Sequence, residues 1–169
     1  MKLNFAVQRI AIFIDIANLY HSAKNLYQAR VNFNELISEI IQKRNLVRAL
    51  AYGIKSKTGE ERNFFTALKK LGIELRLKDL QEYHSGFKKG NWDVGMTIDV
   101  IKIANSVDTI VLVTGDGDFL PLLEYLQYQG KRVEVVALGS TCSTKLKWAA
   151  DSFFDIEKKS HKFLFPIKK

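Results

Sequence analysis

The sequence predicts an α/β fold in which helices cover both faces of a mainly parallel β-sheet. Short β-branched runs that suit buried strands alternate with segments whose apolar residues recur at helical spacing. Such alternation is typical of parallel strands joined by helical crossovers. The 169 residues are 47% apolar, enough for one sizeable core, and no repeat or proline-rich linker divides them. We therefore expect a single domain of three layers.

The amino-terminal half contains three predicted strands and two predicted helices. They alternate along the chain as strand 10–14, helix 33–41, strand 46–52, helix 64–71 and strand 73–78. The last strand alternates apolar with charged residues, which is the pattern of a half-buried or edge strand. Because an exposed edge can pair with a second copy of the chain, a homo-oligomer is left open.

The carboxy-terminal half continues the alternation after a polar, glycine-bearing loop at residues 83–92. Its elements are helix 93–105, strand 109–113, helix 119–129, strand 133–138, helix 144–150 and strand 153–156. Strand 109–113 is the most hydrophobic, which predicts a central position in the sheet. We expect the domain to comprise residues 1–156, followed by a basic tail at residues 157–169.

Charge and cysteine content narrow the class of protein. Lysine and arginine total 26 and aspartate and glutamate 18, so the net charge is +8. This excess favours a polyanionic partner such as nucleic acid, although a solvated basic surface would also produce it. Cys142 is the only cysteine, which excludes an internal disulfide or a cysteine-based zinc site. With no apolar run of about 18 residues, we expect a cytoplasmic protein without a membrane partner.

Three aspartates follow predicted strands at the ends where ligands bind in parallel sheets. Asp15 ends the first strand, and Asp116 and Asp118 lie in a glycine-containing turn after strand 109–113. If these two strands are neighbours, three carboxylates converge. Because clustered carboxylates repel one another, a divalent cation would relieve the repulsion, and oxygen ligands suit Mg²⁺ or Mn²⁺.

Each of these acids also has a structural interpretation. Asp15 could cap a helix, and Asp116 with Asp118 could form a turn in which Asp118 caps the next helix. Asp99 shares a helical face with Met96 and Ile103, so it looks buried and needs either a cation or a basic partner.

Asp93 and the preceding loop are the remaining candidate features. Asp93 lies six residues before Asp99, about 240° around an ideal helix, so the two acids cannot point the same way unless Asp93 is an N-cap. In the loop 83–92, Lys88 and Lys89 are interleaved with aromatic residues. This mixture suits single-stranded nucleic acid, whose phosphates meet the lysines while bases stack on the rings. Alternatively, the aromatic residues pack into the core.

The order of these motifs resembles that of NYN-domain proteins of the LabA-like family. FIDIANLY at residues 13–20 is similar to the opening motif of the family, KGNWDV at 89–94 followed by Asp99 to its middle motif, and VLVTGDGDF at 111–119 to its third. The closing strand and the L-x-x-x-A-D-x-F segment correspond to residues 130–135 and 146–153. The resemblance covers roughly residues 9–156.

The resemblance implies a PIN-like α-β-α fold and Mg²⁺- or Mn²⁺-dependent ribonuclease chemistry on RNA, which we expect to be single-stranded. By motif position, the metal ligands would be Asp15, Asp99, Asp116 and Asp118. Asp93 would be a further catalytic acid in the same pocket.

The resemblance also assigns residues around the acids. Asn18 would orient the Asp15 carboxylate or touch substrate, and Lys89 would lie at the mouth of the site, with Lys88 beside it attracting the RNA strand. Thr114, at a position where many members have serine, is expected among the substrate-binding residues. Ile16 departs from the family, whose members often have glycine there.

Three functions are compatible with the sequence. The first is an endoribonuclease that holds its divalent cation with aspartates. The second is a non-catalytic RNA-binding or protein-interaction module on the same fold. The third, a phosphatase of the haloacid dehalogenase type, is suggested by Gly115-Asp116-Gly117-Asp118. That chemistry requires a second acid two residues after the first aspartate, where this chain has Ala17.

Overall fold

Six parallel strands form the central sheet of the protein. The computed structural model describes residues 7–56, 59, 61–79, 81–82, 88–89 and 91–167, with the backbone alone for residues 81–82 and 88–89. In spatial order the strands are β4 (Glu74–Asp79), β3 (Asn45–Lys55), β1 (Arg9–Asp15), β7 (Thr109–Val113), β8 (Arg132–Ala137) and β9 (Ser152–Asp155). Every neighbouring pair is parallel, as the sequence predicts.

Helices cover both faces of this sheet. One face packs against α1 (Ile16–Tyr27), α2 (Phe33–Ile41), α3 (Arg62–Lys70) and α7 (Ser160–Phe163). The other packs against α4 (Asp93–Ala104), α5 (Leu120–Tyr128) and α6 (Thr144–Ala149). Two short antiparallel pairs complete the described structure, β2 (Ala29–Val31) with β10 (Leu164–Pro166) and β5 (Gln81–Glu82) with β6 (Lys88–Lys89). The predicted three-layer α/β class is confirmed.

The central strand β1 fixes the position of the candidate site. Its residues 10–14 are completely buried, with Ile12 facing one helical layer and Phe13 the other. Ile14 pairs with Val113 of β7, so the carboxyl ends of the two strands emerge side by side. The convergence of Asp15, Asp116 and Asp118 is expected if these two strands are neighbours, and they are neighbours.

Local sequence signals account for most element ends. The Asn32 side chain accepts a hydrogen bond from the Glu35 amide and begins α2. Gly72 and Gly130, which follow α3 and α5, have positive φ angles of 79° and 75°, a conformation that favours glycine. The strand predicted at residues 73–78 is the edge strand β4; its pairing with a second copy stays a prediction.

Helix α1 is the main element that the sequence analysis did not predict. Its buried residues Ile16, Leu19 and Ala23 follow helical spacing, so the signal is present. It is weak because Tyr20, Leu26 and Tyr27, which are exposed, interrupt the contrast between an apolar and a polar face.

The expected basic tail is folded as far as residue 167. Phe163 of α7 is fully buried, and β10 pairs with β2. Lys159 and Lys162 bind the Glu39 carboxylate at 3.0 and 2.7 Å. These two lysines therefore hold the carboxy terminus against α2 instead of standing free for a polyanion.

Among the described residues, no helix is both long and apolar enough to cross a lipid bilayer. Cys142 is buried as a free thiol.

Because Phe163 belongs to the core, we expect Phe163→Ala to lower the free energy of unfolding by about 3–5 kcal/mol. Urea denaturation measures the loss. Phe165→Ala is the matched control, since Phe165 is 46% exposed and should cost under about 1 kcal/mol. Equal effects of the two substitutions would contradict a structural role for the carboxy-terminal segment.

Candidate functional site

Three carboxylates meet at the carboxyl edge of the sheet. Asp93 is the first residue of α4, and Asp116 and Asp118 follow β7. Each offers an oxygen, and these oxygens lie within 4.8 Å of one another. Asp93 and Asp116 are half-buried, whereas Asp118 is exposed. We call these three residues the carboxylate cluster. It opens to solvent, and its oxygen-only donor set matches the preference of Mg²⁺ or Mn²⁺.

Thr114 connects the cluster to the core. This residue is completely buried, and its hydroxyl donates to Asp15 Oδ2 at 3.1 Å while accepting from the Asp116 amide at 3.2 Å. Both hydrogen-bonding roles of the hydroxyl are thereby used. The expectation that Thr114 binds substrate is not met in this structure, because burial leaves its side chain no exposed surface.

Asp116 has a local structural role as well. Its Oδ1 accepts from the Asp118 amide at 2.9 Å and caps the 3-10 turn Gly117–Phe119, which leads into α5. The cap is therefore Asp116, and the interpretation of Asp118 as the cap is wrong. Asp116 thus caps the turn and also offers an oxygen to the cluster with Asp93 and Asp118.

The two glycines of this turn allow close packing. The Ser143 amide, ahead of α6, donates to the Gly115 carbonyl at 2.9 Å. A Cβ atom on Gly115 would lie 3.0 Å from Cys142 Cα, and one on Gly117 would lie 2.9 Å from Ser143 Oγ. The glycines are thus needed for close approach of segment 142–143.

Asp15 lies beside the cluster and caps α1. Its Oδ1 accepts from the Asn18 amide at 3.1 Å, as the helix-cap interpretation predicts. Burial raises the pKa of Asp15, and the charges of Asp93 and Asp116 raise it further, against the lowering effect of its hydrogen bonds. Among the described acids, Asp15 is a neighbour of the three-residue cluster and not a member of it.

Asn18 of α1 forms a hydrogen bond with the loop after β7. Its side-chain Oδ1 accepts from the Gly115 amide at 2.9 Å. Its backbone amide donates to Asp15, and the expected role of its side chain toward Asp15 or substrate stays a prediction. Asn18 therefore links α1 to the glycine turn.

Burial and repulsion within the cluster both raise the pKa of Asp93. Burial raises its pKa first, followed by the charges of Asp116 and Asp118. Its Oδ2 accepts from Asn91 Nδ2 at 2.7 Å. Trp92, not Asp93, occupies the N-cap position of α4. A cation among these groups would remove the repulsion, so the residues present fit a divalent ion.

Asp99 points elsewhere. The Tyr52 hydroxyl donates to Asp99 Oδ2 at 3.0 Å, and Arg76 Nε lies 3.4 Å from the same oxygen. Burial and the Asp99 charge raise the pKa of Tyr52. Asp99 is half-buried, and the structure gives it the basic partner that the structural interpretation of its sequence position predicts. It does not place Asp99 in the cluster, as the 240° separation from Asp93 anticipates.

The loop before α4 is described in part. Trp92 packs against the Tyr52 ring with centroids 5.4 Å apart, and its Nε1 donates to the Gly53 carbonyl at 2.8 Å. Trp92 is thus packed against the fold, as the alternative interpretation holds. Residues 83–87 and 90 lie outside the described residues, as do the side chains of Lys88 and Lys89, whose expected roles stay predictions.

Lys78 of β4 was missed by the sequence analysis. Its Nζ lies 4.1 Å from the Trp92 ring centre and donates to the Asn91 carbonyl at 3.1 Å. In the sequence it is one of several charges on an alternating strand. Lys78 is brought to the site because Trp92 packs on β3 and lies under the Lys78 ammonium.

The comparisons with known proteins agree with this geometry. The family model of the NYN domain matches residues 9–157. The chain belongs to the NYN domain family. NYN domains are PIN-like nuclease domains, and the parallel sheet with an acidic carboxyl edge is consistent with that fold.

Two curated relatives and one solved structure are similar to this NYN domain. The low amplitude and bright protein LabA of Synechococcus elongatus is 30% identical over 163 residues, covering 90% of this chain and 86% of the relative. An uncharacterized protein of Methanocaldococcus jannaschii is 32% identical over 98 residues, or 50% of this chain and 41% of that protein. A crystal structure of a Vibrio parahaemolyticus protein of unknown function has a TM-score of 0.86 at 35% identity, covering 98% and 100% of the two chains.

The raised pKa of Asp15 predicts a pH-dependent stability change. A raised native pKa means that ionisation of Asp15 costs stability as pH rises above the unfolded value of about 3.9. In EDTA, Asp15→Asn should therefore be more stable than the parent protein at pH 7, with the difference vanishing near pH 3. Urea denaturation at several pH values measures it.

Asp108→Asn is the matched control, because the hydrogen bond and charge of Arg9 lower the pKa of Asp108. Its stability change should have the opposite sign at pH 7. Loss of stability in Asp15→Asn at neutral pH would show that its hydrogen bonds as a carboxylate outweigh its burial.

Proposed function

We propose that this NYN domain is a metal-dependent endoribonuclease that hydrolyses phosphodiester bonds of RNA. The observation that carries the proposal is the convergence of Asp93, Asp116 and Asp118 within 4.8 Å at an open edge of a PIN-like sheet. Acids that repel one another in this way cost stability, and the turn around them is built from buried hydrogen bonds. A site of this kind is better explained by chemistry than by folding.

The cluster would hold the cation, Mg²⁺ or Mn²⁺, with Asp15 as a neighbouring negative charge. Bound there, a divalent ion would supply Lewis acidity for activating water and for stabilising charge on the phosphate. Asp15 adds to the negative potential from a half-buried position. Asp99 is absent from this ligand set, because its carboxylate is already bound by Tyr52 and Arg76.

The surrounding residues fix the geometry of the acids. Thr114 and Asn18 position the turn through hydrogen bonds to the Asp116 amide and the Gly115 amide. Both are positioning residues in this account. The Asp118 carboxylate is the most exposed of the cluster, so it faces the side from which a large substrate approaches.

RNA is the proposed substrate for two reasons. NYN nuclease domains act on RNA, and the net charge of +8 attracts a polyanion. Among the described basic residues, Lys78 lies next to the site through its contact with Asn91, whereas Lys159 and Lys162 are bound to Glu39.

The assay of this proposal is cleavage of a labelled single-stranded RNA with Mn²⁺, with EDTA and with Asp116→Asn. Asparagine retains an Oδ1 acceptor for the Asp118 amide, so the turn should persist while a ligand charge is lost. We expect at least about a hundredfold loss of cleavage. Asp108→Asn, at the other edge of the sheet beside Arg9, should cleave as the parent does.

Cleavage that persists in EDTA or in Asp116→Asn would contradict the mechanism. Salt-dependent RNA binding without cleavage under any divalent ion would instead support the non-catalytic binding module.

Asp99→Asn separates the two assignments of Asp99. We expect it to lower the free energy of unfolding by about 1–3 kcal/mol, because Arg76 and Tyr52 lose a charged partner. The rise in melting temperature on adding Mn²⁺ should remain. Asp93→Asn should lose most of that rise. Loss of the Mn²⁺ effect in Asp99→Asn, with retention in Asp93→Asn, would return Asp99 to the ligand set and exclude Asp93.

A further inference from the structure

We propose that the edge strand β4 carries a contact line for RNA phosphates that leads to the carboxylate cluster. Its two members are Arg76 and Lys78, which we call the β4 track. The proposal rests on the proposed function, since it supplies a path for the substrate strand to the same site.

The two basic side chains lie on one face of the strand. Side chains alternate along a strand, so Arg76 and Lys78 share a face. Arg76 is paired in register with Tyr52, which belongs to the core on the α4 side, and it reaches Asp99 of α4. The track therefore runs along the α4 side of the outermost strand, toward the carboxyl edge.

Lys78 is the end of the track nearest the acids. Its ammonium stands over the Trp92 ring and donates to the Asn91 carbonyl. The Asn91 side chain in turn donates to Asp93 at 2.7 Å. The charge of Lys78 also opposes the rise in the pKa of Asp93. Two short contacts thus connect Lys78 to a cluster carboxylate.

The Lys78 ammonium is held in place and still has N–H groups that can donate to a ligand. The lysine is exposed, and an ammonium group has three N–H donors. Within the described residues, its one hydrogen bond uses the Asn91 carbonyl, and a cation–π contact adds directional restraint without using the remaining donors. A positioned cation of this kind is suited to a phosphate oxygen.

Arg76 is the second contact. Asp99 holds its Nε at 3.4 Å, and Glu74 lies 3.8 Å from Nη2, leaving the side chain 39% exposed. Glu74 is itself engaged by Arg48 at 2.6 Å. The pair formed by buried Tyr52 and half-buried Asp99 therefore orients a guanidinium toward the surface. This gives Asp99 a role in substrate positioning through Arg76.

The spacing of the track suits a nucleic-acid strand. Residues two apart on a strand are separated by about 6.6 Å, of the order of the distance between successive phosphates in an extended chain. Three cations, Arg48, Arg76 and Lys78, face two anions, Glu74 and Asp99, which leaves one positive charge. Among the described residues, Lys78 is the one of these cations that forms no salt bridge. Its contribution to RNA affinity should therefore be the largest.

The experiment measures RNA affinity in the Asp116→Asn background, where the strand is not cut. A fluorescent single-stranded RNA is titrated at several salt concentrations with Lys78→Gln, Lys78→Arg and Lys69→Gln. Lys69 is exposed on α3, which packs on the other face of the sheet. It is the matched control for loss of one surface charge.

We expect Lys78→Gln to weaken binding about three- to tenfold and to reduce the slope of log affinity against log salt by about 0.7. Lys78→Arg should restore both values, and Lys69→Gln should match the parent. If Lys78→Gln is indistinguishable from Lys69→Gln, or if the parent binds no RNA, the track is wrong.

A double variant tests Arg76 without leaving the Asp99 carboxylate unpaired. The double variant Arg76→Gln/Asp99→Asn removes both charges of the pair, so the half-buried carboxylate is not left without its cation. We expect it to weaken RNA binding further when combined with Lys78→Gln. Affinity unchanged by the double variant would remove Arg76 from the track.

Cleavage by the otherwise native protein separates this proposal from the nuclease. Lys78→Gln should raise KM with little change in kcat. Cleavage with unchanged KM would reject the track and keep the nuclease. Binding that depends on Lys78 in a protein that never cleaves RNA would keep the track and reject the nuclease.

Discussion

The hydroxyl of Thr114 connects the core of the protein to its candidate site. It donates to Asp15 at the end of β1 and accepts from the Asp116 amide after β7. Because β1 and β7 are neighbours at the centre of the sheet, this one buried group sets the relative position of two acids from distant parts of the chain. Asn18 makes a second connection to the same turn. The cluster therefore rests on rigid strand ends, as a site that must position ions requires.

The rigid strand ends hold together acids that repel one another. Burial and like charges raise the pKa of both Asp15 and Asp93, so the fold is less stable with these groups ionised. Other acids are paired with cations, as Asp108 is with Arg9 and Glu39 with Lys159 and Lys162. The imbalance is concentrated at the carboxyl edge, where a divalent cation and the adjacent basic strand β4 would each compensate it.

Much of this arrangement could be predicted from the sequence, because parallel α/β folds place strand ends together. The alternating elements indicated the sheet, and Asp15 and Asp116 followed from the ends of its most apolar strands. The partner of Asp99 could not be identified, since Arg76 is distant along the chain and reaches it only through strand pairing. The composition of residues 157–169 indicates a basic tail with apolar residues, but it could not show that Phe163 packs in the core or that Lys159 and Lys162 bind Glu39. The role of Lys78 could not be predicted from the sequence, because it depends on where Trp92 packs.

Titration of the purified protein with Mn²⁺, following free Mn²⁺ by its electron paramagnetic resonance signal, tests the central claim most directly. The account predicts saturable binding that is lost in Asp93→Asn and Asp116→Asn and kept in Asp108→Asn. This readout is independent of any RNA or cleavage assay. Absence of saturable binding, or binding that survives in both cluster variants, would contradict a metal centre built from Asp93, Asp116 and Asp118.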